Sequence, residues 1–281
     1  MTGSAVSTRS AGVVPGRALA GLTAVAVALG FAFVLVPGPL ADSGSDGFAD
    51  QSKLRRALRD GFVAYWDSGD QGRPPALTRV IDYWFRYHLV KGAIAGALLV
   101  VLVVLAVLLW KAFVRGAMLG AAQRIWLVAA GSLVGLFAFA ALLAVIANIQ
   151  GAVAPFSSLL PMLPSGAGDP QLSAVFDQIR QQLAGNGGTS APVNDMVDDF
   201  ARYHVAVAVI AAILAITAIG LSVVSWRKFT RSDNARVRRV LCAAGIVSAL
   251  MGSAAVVLLI ANTTAVIHST SALAAFFNGS W

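Results

Sequence analysis

Apolar residues gather in five blocks, at about 18–36, 92–110, 125–147, 205–225 and 240–261, each roughly 20 residues long. A helix of about 20 apolar residues crosses a hydrocarbon layer of about 30 Å, so the pattern predicts five membrane-spanning helices. The long polar segments between them carry a different period. Leu54, Leu58 and Phe62 recur every four residues, with Val63, Tyr65 and Trp66 widening the stripe. That is an amphipathic helix, broken after Asp67 by a polar, glycine-containing run that ends at Gly72. Pro74 and Pro75 suit the first turn of a new helix, which should continue unbroken into the second block. In the later segment, Asp169–Pro170 reads as a cap with proline at the first helical position. There Leu172, Val175, Phe176, Ile179 and Leu183 trace a second stripe. The first block ends at Pro37 and Pro39. It is expected to be an uncleaved anchor, the alternative being a signal peptide with Ala41 as a small residue near the cut.

The same marks occur twice. Val80–Ile81–Asp82–Tyr83–Trp84–Phe85–Arg86–Tyr87–His88 is echoed by Met196–Val197–Asp198–Asp199–Phe200–Ala201–Arg202–Tyr203–His204. An apolar run follows each, closing on Trp110–Lys111–Ala112–Phe113 and Trp226–Arg227–Lys228–Phe229. Ile146–Ala147–Asn148 and Ile260–Ala261–Asn262 then mark the far end of each half. Matched positions are 116 residues apart as far as the tryptophans and 114 apart at the asparagines, so the length change falls in a loop. The expected architecture is all-α: a tail over 1–17, an anchor over 18–40, repeat unit A over 41–160 and repeat unit B over 161–281. Each unit holds an outer amphipathic helix and a two-helix hairpin. Two spans per unit give both copies the same orientation, a parallel repeat. Gly131 with Gly135, and Gly245 with Ala249 and Ser253, offer small-residue ladders for close helix approach.

Composition removes some functions. With 58% hydrophobic and 12% charged residues, the chain is too apolar for an ordinary soluble domain. The net charge of +8 does not form a basic domain of the kind that follows a phosphate backbone, so nucleic acid is not an expected partner. Its placement instead sets topology. Eleven basic residues against one acid, Asp233, lie in the tail and in the short loops at 111–124 and 227–239; the long segments hold ten basic and twelve acidic. Basic loops stay cytoplasmic. The amino terminus is expected inside and the carboxyl terminus outside a bacterial plasma membrane. The absence of Glu, with Arg far outnumbering Lys, fits a GC-rich bacterial genome.

Candidate chemistry is sparse. Cys242 is the single cysteine, which leaves no internal disulfide and no cysteine-based metal site. Asp82 with Arg86 and Asp198 with Arg202 are spaced for ion pairs on one helix face. His88 and His204 fall where a helix enters the apolar layer, and with Asn148 and Asn262 they are the candidate polar pocket. Three readings follow. The residues steady the helices; they line a pocket between the copies for a lipid headgroup or small ligand; or the paired histidines ligate haem or a metal. The spans carry no central ionisable residue, which disfavours a proton-coupled pump, and no phosphate-binding loop or nucleophile elbow occurs. No cofactor is expected. The expected function is a non-enzymatic scaffold or accessory subunit in the bilayer, docking a membrane or periplasmic protein on the outer side. The alternative is binding or movement of a lipid or hydrophobic small molecule at the outer leaflet.

Overall fold

The computed structural model describes residues 16–42, 46–70, 72–115, 120–163, 169–185 and 189–279. The expected tail as far as residue 15, Pro164, and the breaker residues 186–188 lie outside the described residues. Every regular element among the described residues is helical. Five helices are long and apolar enough to cross a membrane. They are α1 (Gly16–Leu35), α4 (Pro75–Arg115), α5 (Ala121–Val153), α8 (Ala191–Thr230) and α9 (Ala235–Ile267). The other five are α2 (Pro37–Ala41), α3 (Gln51–Ser68), α6 (Pro155–Leu159), α7 (Pro170–Ala184) and α10 (Ser269–Phe277), with a 3-10 turn at Leu160–Met162.

Local chemistry sets these ends. Asp50 caps α3 by accepting from the Ser52 and Lys53 amides, and Asp169 caps α7 by accepting from Leu172 N–H ahead of Pro170. Gly69 closes α3 in the left-handed conformation, φ 65°, which glycine adopts without steric cost. α4 runs without a break from Pro75 because nothing between its polar start and Trp110 interrupts the helical period. Correspondence between the two halves is close. α5 and α9 are each 33 residues long and start and end 114 positions apart, while α4 and α8 start 116 apart.

The chain divides into two compact units. The first holds residues up to Phe33 together with Ile94–Leu143. Here Leu102 and Leu105 of α4 meet Ala141 of α5, with Leu19, Leu22 and Ala26 of α1 against them. Val134 and Ala138 complete the contact stripe of α5. Gly131 and Gly135 do not form the expected ladder, since a Cβ on either would meet nothing within 4 Å. The residues of α5 in this cluster begin at Val134, one turn after Gly131, and Gly135 is exposed. Outward faces of these helices are apolar, with Trp126 75% and Ile125 69% exposed, the surface a lipid-facing helix presents.

The second unit holds Val34–Ala93 and the chain from Ala144 onward. α8 and α9 pack along most of their length, through Ala211, Ala215, Ala218 and Ser222 on one side and Leu241, Gly245, Gly252 and Ala255 on the other. Of the ladder expected on α9, Gly245 is in the interface while Ala249 and Ser253 are exposed. A strict four-residue spacing rotates about 40° per step around a helix of 3.6 residues per turn, so the ladder drifts off the face. A helical cap completes the unit. Leu58 and Phe62 of α3, Val80 of α4, Phe156 of α6, Ile179 of α7, Met196 of α8 and Leu273 of α10 share one buried apolar cluster. The stripes read from the sequence on α3 and α7 are its main supply. α10 joins the same cluster through Leu273 and Phe277.

Candidate functional site

His88 and Asn148 lie on α4 and α5, and His204 and Asn262 on α8 and α9. His88 Nδ1 is 3.0 Å from Asn148 Oδ1, and His204 Nδ1 is 2.9 Å from Asn262 Oδ1. Each amide nitrogen turns back along its own helix, Asn148 Nδ2 donating to Ala144 O at 2.7 Å and Asn262 Nδ2 to Leu258 O at 2.8 Å. That fixes which end of each amide is the acceptor. Asn Oδ1 must accept, so Nδ1 of each histidine carries the proton and donates. The ring partners match as well. Trp84 sits edge-on to His88 at 4.8 Å and Phe200 edge-on to His204 at 4.7 Å, one turn earlier on the same helix.

Each bond joins a histidine to the asparagine of its own half, so the four residues form two separate clasps. The Nε2 edge of His88 is buried and has no hydrogen-bond partner. It abuts Gly151, where a Cβ would fall 2.5 Å from Nε2. Only glycine leaves space there. A histidine that ligates a metal holds one nitrogen toward a carbonyl and offers the other to the ion; here the other nitrogen faces backbone. Among the described residues no three His, Cys or Asp side chains cluster closely enough to hold a metal ion. His268, the third histidine, is exposed at the start of α10.

The intrahelical ion pairs are not formed. No Asp82–Arg86 or Asp198–Arg202 contact lies within 4.0 Å among the described residues. Arg86 Nε instead donates to Ala41 O at 3.0 Å, a carbonyl at the end of α2 with no helical partner. Asp82, Asp198 and Arg202 are exposed, where such a pair contributes only a few tenths of a kcal/mol.

The polar centre of the cap lies elsewhere. Arg73, in the turn before α4, reaches α8 and grips Asp195 with two bonds, Nε to Oδ2 at 2.9 Å and one terminal nitrogen to Oδ1 at 3.1 Å. The same nitrogen is 3.7 Å from Asp199 Oδ1. Asp199 is 3% exposed, and its Oδ2 accepts from both the amide and the hydroxyl of Ser157 at 2.8 Å. Tyr65 donates to Asp195 at 2.8 Å, and the Arg73 guanidinium lies 4.6 Å over the Phe156 ring. Burial, then the Asp195 carboxylate, push the Tyr65 hydroxyl above its usual range and keep it a donor. A second clamp joins α3 to α7, where Arg59 binds Asp169 through Nε and a terminal nitrogen. Arg59, aided by the Leu172 amide, holds the Asp169 carboxyl down to about 2. Sequence reading missed Arg73, Asp195 and Asp199. The available signal was the mismatch of halves: Asp199 stands where the first half has Tyr83, and Arg73 where the second has Thr189.

Two open concavities lie apart from the clasps. One of about 520 Å³ in the cap is bordered by Leu160, Leu163, Phe176, Phe276 and Phe277, with Arg180 at its edge. The other, also about 520 Å³, lies where α8 turns into α9 and is bordered by Phe229, Asp233, Arg238, Arg239, Cys242 and Ile246. The chain matches no family model, no curated protein and no solved structure.

Proposed function

We propose that this is a bacterial plasma-membrane protein of two tandem hairpin units behind one anchor. Its basic loops and amino terminus face the cytoplasm, and its helical cap is a non-catalytic docking platform on the outer side. Support for the repeat comes from the matched helix lengths and the two His–Asn clasps with like geometry. Support for orientation comes from the charge of the loops. One observation carries the functional reading. Every outer segment contributes to one apolar cluster, and Arg73 ties the cap's first half to Asp195 of its second. Pairing of Arg59 with Asp169 and of Arg73 with Asp195 and Asp199 ties the elements of the cap into a stiff body, as a scaffold or accessory subunit requires. His88, whose second ring nitrogen is set against Gly151, works in this reading as a clasp rather than as a haem or metal ligand.

A second reading has its own support. The cap groove offers aromatic walls and a single arginine, Arg180, already bound to Phe277 O at 2.9 Å and to Asp177 at 2.7 Å. Such a concavity suits a lipid or another hydrophobic molecule. Native mass spectrometry of the full chain, purified in nanodiscs from its own membrane, separates the readings. A protein bound in fixed stoichiometry, released by charge-reversing substitutions on the cap, supports the scaffold. A retained lipid lost on Phe276→Asp substitution, with no protein partner, supports the second reading and contradicts the first.

A further inference from the structure

The turn between α8 and α9 holds a concavity with the chemistry of a membrane surface. Arg238 and Arg239 border it on the polar side, and Cys242, Ala243 and Ile246 continue along α9 toward the apolar part of the helix. Neither arginine has a carboxylate within 4.0 Å among the described residues, and Asp233 on the rim is likewise unpaired. Arg238 is held over the Phe229 ring, its guanidinium carbon 4.7 Å from the centroid, which orders the side chain without neutralising it. The first amides of α9 are already used, Asn234 Oδ1 accepting from Arg236 and Val237. Binding capacity therefore resides in the two side chains. Positive-inside topology explains why basic residues occur in this loop. It does not explain why two of them border one hollow above an apolar wall.

We infer that this hollow seats the headgroup of an anionic phospholipid. Its phosphate lies between the Arg238 and Arg239 guanidinium groups, and its acyl chain runs along Ala243 and Ile246. Two arginines against Asp233 leave the hollow with one net positive charge, the complement of a singly charged lipid such as phosphatidylglycerol. The inference rests on the topology proposed above, which places this turn at the inner leaflet.

Cys242 is the chain's single cysteine and borders the hollow, so the unmodified protein carries its own probe. The full chain is reconstituted into vesicles of phosphatidylcholine alone, or with phosphatidylglycerol or phosphatidylethanolamine, and the alkylation rate of Cys242 is followed. Both leaflets carry the same lipid, so the result does not depend on orientation. Phosphatidylglycerol should slow alkylation about tenfold or more, the worth of two arginines at an anionic surface. The double variant Arg238→Gln/Arg239→Gln should lose that protection, while Arg227→Gln/Lys228→Gln, at the end of α8 beside the turn but outside the hollow, should keep it. Equal rates in all vesicles would overturn the proposal. So would equal loss in both double variants, which would mean diffuse attraction, or protection by inorganic phosphate in phosphatidylcholine vesicles, which would mean a soluble ligand. Detergent-state thermal melts of the variants exclude unfolding as the cause. Labelling of Cys242 in intact cells by an impermeant reagent would contradict the topology and leave the lipid result standing.

Discussion

The two hairpins are alike at one end and different at the other. Where they meet the cap, His88 clasps Asn148 and His204 clasps Asn262 at distances that agree within 0.1 Å. Toward the basic loops the likeness ends. Ser222 donates to Gly245 O at 2.9 Å, and a Cβ at Gly245 would lie 3.1 Å from the Trp226 indole. Matched positions in the first half are Ala106, Gly131 and Trp110. Ala106 has no donor, and a Cβ at Gly131 would have no neighbour within 4 Å. The second hairpin also has Gly252, where a Cβ would lie 3.0 Å from Ile219, at the position matched by Ala138. A hydroxyl and a glycine thus accompany the hairpin joined along its length, while the first keeps its own glycine and tryptophan without the contact. Glycine at the right spacing permits close approach; it does not cause it.

Four substitutions or conditions sharpen the contrast. The largest effect belongs to the part of the cap with no counterpart. Arg73→Ala leaves Asp195 and Asp199 facing each other without a cation and should cost about 3 kcal/mol or more, while Thr189→Ala at the matched position, which removes only an exposed hydrogen bond to Asn194, should cost no more than about 1 kcal/mol in the same thermal melt. Gly151→Ala should come next. Its methyl would enter the His88 ring, moving the imidazole off Asn148 at a cost of about 2 kcal/mol from overpacking. The second half already carries Ala265 there, so Ala265→Gly should cost no more than the helix penalty of about 1 kcal/mol. Equal effects at the two sites would mean that the clasps are packed alike. Ser222→Ala should be milder, about 0.6 kcal/mol for one interhelical bond, and should leave the His–Asn clasps intact by NMR of the ring Nδ1–H. The smallest effect is that of acid. Asp169 is held below its ordinary value, so its pairing with Arg59 contributes stability that is present above about pH 4 and fades toward pH 2. Asp169→Asn should flatten that part of the pH profile; an unchanged profile would remove the clamp from the account.

Much of this fold was legible in the sequence. Spans are set by block length, and the stripes on α3 and α7 by a period that survives in any sequence whose helix buries one face. Recurrence singled out the histidines and asparagines, but their pairing within each half rather than across halves depends on helix rotation. Arg73 left only the mismatch with Thr189 at the matched position as a trace. It lies in a turn and finds Asp195 more than a hundred positions later, with no local period to announce it. The expected Asp82–Arg86 pair failed for the opposite reason: spacing allowed it, but the end of α2 offered Arg86 a carbonyl with a greater need.

The most direct test concerns the proposed tandem, same-sense repeat and the proposed outer placement of the cap. Single cysteines are placed at Ala112, Ser232 and Ser68 in a Cys242→Ala background and exposed to an impermeant thiol reagent, first in intact cells and then after lysis. The account predicts that position 68 is labelled from outside, and that 112 and 232 are labelled together only once the membrane is opened. Labelling of 112 and 232 from opposite sides would contradict it.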